Sequence, residues 1–130
     1  MLDVHIDDFF KDAAVALLTG LQQFPAPMTL FVEDICGPDD MDEFGLHSRR
    51  HMAALGTLLW LRDEGFVRFG TVDRQESVDD FVLTAKAFSR LIRVISESGE
   101  PLFRVLNDAR MDGNSTRVRQ LLSEGLLADA

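Results

Sequence analysis

His47 and His51 stand four residues apart, and the acidic run Asp39, Asp40, Asp42 and Glu43 lies just before them. Imidazoles at i and i+4 share one face of a helix and can hold a transition metal together. His47, however, precedes the serine expected to open the helix, and no glutamate completes a metalloprotease-type motif. Both histidines are therefore read as surface or capping groups. A calcium loop started at Asp40 would place Asp42 and Gly45 correctly, but it puts Phe44 and His51 where oxygen ligands belong. The acidic run is expected to be solvated surface or a partner-facing patch. Cys36 has no general base near it in the pattern and is read as a buried thiol.

The chain carries no phosphate-binding glycine loop, dinucleotide fingerprint or nucleophile elbow. No catalytic residue, metal ligand or cofactor is expected, and an enzyme is not expected. With 130 residues, 46% of them hydrophobic, the chain has the material for one core, so a single domain over 1–130 is expected. A lone cysteine excludes an internal disulfide and suits a reducing cytoplasm. No apolar run approaches the roughly 18 residues of a membrane span. Asp3, Asp7 and Asp8 crowd the N-terminus, where a signal peptide would be basic and then apolar.

The net charge of −9 belongs to one region. Residues 1–47 hold ten acids against Lys11, a balance of −9; residues 48–98 sum to +1 and residues 99–130 to −1. An acidic chain with a nearly neutral middle lacks the cationic footprint of a DNA-binding module.

The elements that must position these groups follow from periodicity. Ile6, Phe9, Phe10, Ala13, Ala14, Leu17, Leu18 and Leu21 repeat at helical spacing, predicting an amphipathic helix over Val4 to Phe24 that ends at Pro25-Ala26-Pro27. Met28 to Val32 suits a short strand, and Val32 to Ile35 a helical turn. Residues 39–47 read as a loop or turn with Met41, Phe44 and Leu46 dipping inward. Ser48 can cap a helix that Gly65 terminates. Phe66 to Phe69 and Phe81 to Leu83 suit paired strands around a polar loop from Gly70 to Asp80. Thr84 caps the next helix, which carries Ala87, Phe88, Leu91, Ile92 and Ile95. Two tail helices are expected at Pro101 to Met111 and Thr116 to Leu127, broken by Asp112-Gly113-Asn114.

Leu61-x-x-x-Gly65-Phe66-Val67 and Leu83-Thr84-x-Lys86-Ala87, in that order and spacing, make residues 28–98 resemble the winged helix-turn-helix superfamily. Ala87 departs mildly from its pattern, in which bacterial regulators often have glycine. The resemblance implies a winged-helix core over 28–98 with a two-stranded wing; with the periodic helix in 1–27 and the helical tail in 99–130, the expected fold is mostly α (α+β). It also implies that the helix from Ser48 to Glu64 would read DNA. In that pattern Leu61 packs inward, with Ala54, Thr57 and Leu58 on the same side. Arg49, Met52, Leu55, Gly56, Leu59, Trp60 and Asp63 then face outward. Base edges are read by hydrogen bonds, and this face is mostly apolar.

The expectation is therefore a regulatory or protein-interaction module, not an enzyme, forming a homodimer or meeting a protein partner. Met52, Leu55, Leu59 and Trp60 are the candidate interface, with Trp60 buried. The interface is expected to be built from the first helix, the tail helices or both, because the Val4 to Phe24 stripe and the Met52, Leu55, Leu59 and Trp60 face together present more apolar surface than a two-stranded wing and a short tail can cover. The alternative is a DNA-binding transcriptional regulator that sets Arg49, Arg50, Arg68 and Arg74 against phosphates.

Overall fold

The amphipathic run at the N-terminus folds as helix α1 (Leu2–Gln23) in the computed structural model, which describes residues 2–128. Met1, Asp129 and Ala130, at the ends of the expected 1–130 unit, lie outside the described residues. Strand β1 (Met28–Phe31) and the single turn α2 (Glu33–Cys36) follow, then a loop, then α3 (Arg49–Asp63). Ser48 caps α3 as expected, its hydroxyl accepting the His51 amide at 3.1 Å. Gly65 closes it with φ +82°, a conformation that costs a residue without Cβ nothing, while the Phe66 amide reaches back to the Leu61 carbonyl at 2.9 Å.

The chain then makes a small antiparallel sheet. Strands β2 (Val67–Arg68) and β3 (Val72–Asp73) lie along one edge of β4 (Ser77–Leu83), and β1 lies along the other. The expected pairing is present, with Val67 opposite Leu83 and Arg68 opposite Val82. The stretch expected as a polar loop is partly a hairpin. Its tip, Asp73–Glu76, is closed by the Glu76 amide on the Asp73 carbonyl at 2.9 Å. Both central residues, Arg74 and Gln75, have positive φ (+53° and +61°). Neither is glycine or asparagine, so the turn is strained.

Helix α4 (Ala85–Leu91) is capped by Thr84 but stops four residues before Ile95. The expected helix through Ile95 is overturned because β5 (Val94–Ile95) pairs with β6 (Glu100–Pro101). The tail folds as α5 (Leu102–Met111) and α6 (Ser115–Leu122), with Asn114 capping the second, and a π-helical turn (Ser123–Leu127) closes it. The Arg90 guanidinium donates to the Leu126 carbonyl and ties that turn to α4.

Helix exceeds strand, and the fold is mostly α with small antiparallel sheets. Helix α1 is the centre of the packing, in contact with α2, α3, α5, α6 and β4. Its Ala13, Ala14, Ala16, Leu17 and Leu18 are buried with Leu58, Leu61, Phe81, Leu106 and Leu122 in one core. The stripes of α1 and the tail therefore cover much of each other, while Val4 on α1 and Met111 on α5 stay exposed at 59% and 70%. Gly20 marks the closest approach of α1 to β4: a Cβ there would lie 3.0 Å from both Leu83 Cδ2 and Phe81 Cε2. Gly20→Val is expected to lower stability by about 1–3 kcal/mol through overpacking, read as a fall in the urea midpoint. Among the described residues no helix is long and apolar enough to cross a membrane.

Candidate functional site

Helix α3 sits between α1, α2 and β2, and this decides which of its side chains remain available. Ala54, Thr57, Leu58 and Leu61 are buried, as the helical period requires. Leu55, expected outside, is buried as well. Packing on more than one flank widens the buried arc beyond a single stripe, so Leu55 belongs to the core rather than to a free interface. Leu59 is half-buried against that core. Met52 and Trp60 are each 37% exposed.

Trp60, expected to be buried, is only partly covered. Phe9 of α1 meets it edge-to-face at 5.2 Å, and the Phe66 ring lies 6.3 Å away. An open groove beside it is lined by His5, Phe9, Asp12, Ala53, Gly56 and Thr57. At Gly56 α3 puts no side chain into this groove, and a Cβ there would meet nothing within 4 Å.

The four arginines do not form one set. Arg50 is committed to α1: its Nη1 and Nη2 donate to the two oxygens of Asp12 at 2.7 and 2.6 Å, and its Nε lies 3.6 Å from Asp8. Burial pushes the Asp12 carboxyl above its usual range, and the Arg50 guanidinium opposes the rise. An arginine held in this way has little left for a phosphate. Arg49 and Arg68 are exposed, and Arg74 is exposed on the strained hairpin tip.

The loop before α3 differs most from expectation. Met41, Phe44 and Leu46 do not dip inward; they are 54%, 79% and 64% exposed, beside Phe31 at 50%. Polar contacts at the loop's base hold it in this form. The Asp42 carboxylate accepts the Phe44 and Leu46 amides, both at 2.9 Å, and so bends the chain outward. Asp39 Oδ1 accepts the Ser48 amide at 3.0 Å, and Asp39 Oδ2 lies 2.5 Å from His47 Nδ1. Burial alone would raise the Asp39 carboxyl, but the hydrogen bonds from Ser48 and His47 outweigh it and hold the group well below its usual range.

The two histidines are not simple surface or capping groups. His51 is buried, and its ring stacks on that of His47 at 4.2 Å with 8° between the planes. The cause lies far away in sequence. The carbonyls of Arg74 and Gln75 accept from His47 Nε2 at 3.2 Å and His51 Nε2 at 2.7 Å. The i, i+4 spacing is the one local signal of this pairing; neither Asp39 nor the two carbonyls could be joined to it from the sequence. Cys36 is partly buried, with its thiol directed at the Val32 and Gly37 carbonyls, and burial pushes that thiol up. It is protonated at neutral pH and so a poor nucleophile.

Comparison with known proteins finds no matching family model, no similar curated protein and no similar solved structure.

Proposed function

We propose that this chain is a winged-helix module of regulatory or interaction type, working as a homodimer through protein contacts rather than by reading DNA. What supports the fold half is the order of parts. A helix, a short strand and two helices lead to a hairpin whose second strand lies between the first and β1. The observation that carries the functional half is the face of α3. Where base-reading side chains would stand, it offers Met52, Gly56, half-buried Leu59 and Trp60 beside an open groove, and its Arg50 is bound to Asp12. A two-fold contact would bring one such face onto its copy, the commonest symmetric way to cover a self-complementary patch.

Sedimentation tests the reading. A mass about twice the 14.6 kDa of the chain is expected at micromolar concentration, reverting to one chain mass in Trp60→Glu. Duplex DNA should bind no better than the nonspecific level of about 10⁻⁴–10⁻⁶ M at physiological salt. A clean monomer at high micromolar concentration would remove the dimer. Sub-micromolar affinity for a defined duplex, with a salt slope reduced by Arg49→Ala and Arg68→Ala, would put the DNA-binding regulator in its place.

A further inference from the structure

The pair of stacked histidines poses a question of protons. A backbone carbonyl can only accept, so the contacts of His47 Nε2 with Arg74 O and of His51 Nε2 with Gln75 O place a hydrogen on each Nε2. In a neutral imidazole the other nitrogen is then a bare lone pair. Both of these Nδ1 atoms face the same carboxylate oxygen, Asp39 Oδ2, at 2.5 Å from His47 and 3.5 Å from His51.

Three acceptors thus converge, and something positive must lie among them. A proton on His47 satisfies the shorter contact but leaves His51 Nδ1, which is buried and has no hydrogen-bond partner among the described residues. A second proton, on His51, would stack two cationic rings 4.2 Å apart out of water. A single divalent cation would serve all three donors at once, provided the two rings tilt out of their parallel stack so that both Nδ1 lone pairs converge on it.

We propose that Asp39 Oδ2, His47 Nδ1 and His51 Nδ1 form a binding site for one divalent transition-metal ion, with zinc as the probe. This goes beyond the interaction reading above and does not depend on it. The donor set of two imidazoles and one carboxylate suits Zn²⁺, Co²⁺, Ni²⁺ or Cu²⁺, whereas Mg²⁺ and Ca²⁺ prefer oxygen alone. One donor atom from each residue already lies within 4.8 Å of the other two. Ligands about 2.0–2.1 Å from a tetrahedral zinc lie about 3.3 Å from one another, so the 2.5 Å contact opens by less than about 1 Å on binding.

The surroundings are those of an oriented site. Each ring is fixed through its far nitrogen by a carbonyl of the strained hairpin tip, the outer support usual for metal-bound histidine. Asp39 is fixed through Oδ1 by the Ser48 amide, and its own amide donates to Glu33 Oε1 at 3.1 Å. Asp39 and His47 also line a shallow cleft with Glu76 and Met41, which gives an ion a route from solvent. A bound ion would clamp both ends of the 37–47 loop to α3 and so fix how Met41, Phe44 and Leu46 are presented.

The test is zinc titration of the chelator-treated full chain by calorimetry in a non-coordinating buffer. One equivalent with micromolar or tighter affinity is expected, and Co²⁺ should give the visible bands of a low-coordinate nitrogen–oxygen site. Asp39→Asn, which keeps the acceptor for the Ser48 amide, and His51→Gln should each weaken binding by about 100-fold. His5→Gln should leave it unchanged. Imidazole ¹⁵N shifts of the unmutated chain provide a readout that needs no variant to fold: zinc should move the Nδ1 signals of His47 and His51 and not those of His5. No binding up to about millimolar zinc, binding that survives Asp39→Asn, or shifts confined to His5 would each overturn the proposal.

Discussion

Arg50→Ala is expected to cost about 3 kcal/mol at neutral pH, a large share of the stability of a chain this size. Asp12 is 1% exposed, and two hydrogen bonds from Arg50 are what its carboxylate receives in exchange for water. The figure is set at the low end of the range for a broken buried pair because the Arg50 side chain is itself one-third exposed. Adding Asp12→Asn to the variant removes the stranded charge and should restore much of the loss. The pH dependence has a definite sign. Burial raises the Asp12 carboxyl in the folded chain, so the folded state takes up a proton at a higher pH than the unfolded state. Without Arg50 that rise is unopposed. The deficit of the variant should therefore be full near neutral pH and shrink as pH falls through the raised folded value. Urea midpoints at about pH 7 and about pH 5 measure it. A deficit that is independent of pH would mean that Arg50 contributes by packing rather than by charge.

Phe81→Ala is expected to cost about 3–5 kcal/mol. Phe81 is the largest fully buried side chain and stands in the middle strand, opposite Met28 of β1 and within reach of Gly20 on α1. Its loss opens a cavity where the sheet meets the central helix, and α1 is held by too many partners to collapse into it. The urea midpoint should fall with little change in slope. A clear fall in slope would show instead that β1 and α1 had come loose from the sheet.

Much of this architecture was legible in single residues. Ser48, Gly65 and Thr84 mark ends of helices by chemistry that needs no tertiary context, and the pairing of 67–68 with 82–83 followed from an alternating run at 66–69 and an apolar run at 81–83 on either side of a polar stretch. What failed depended on distant neighbours. Leu55 looked outward from the period of α3 alone, but the burial of a helix depends on how many elements flank it. Ile92 continued an apolar stripe, yet the chain left the helix because Val94 and Ile95 found a strand partner at Glu100–Pro101. Met41, Phe44 and Leu46 looked like core by type; side-chain-to-backbone bonds at Asp42 turn their loop outward. The histidine cluster was half visible. Spacing gave the two rings, while the groups that orient them come from a hairpin 24 and 27 residues further on.

The docking of the tail on α1 also has a consequence for the chain as it is made. Helix α1 is finished at Gln23, but α6, one of the elements that covers it, begins at Ser115. At about 5–20 residues per second, ribosomal synthesis leaves an interval of roughly 5–20 seconds between the two. For that time the leucines and phenylalanines of α1 lack part of their eventual cover. The acidic side chains crowded along the same helix then keep the nascent segment in solution until its lid arrives.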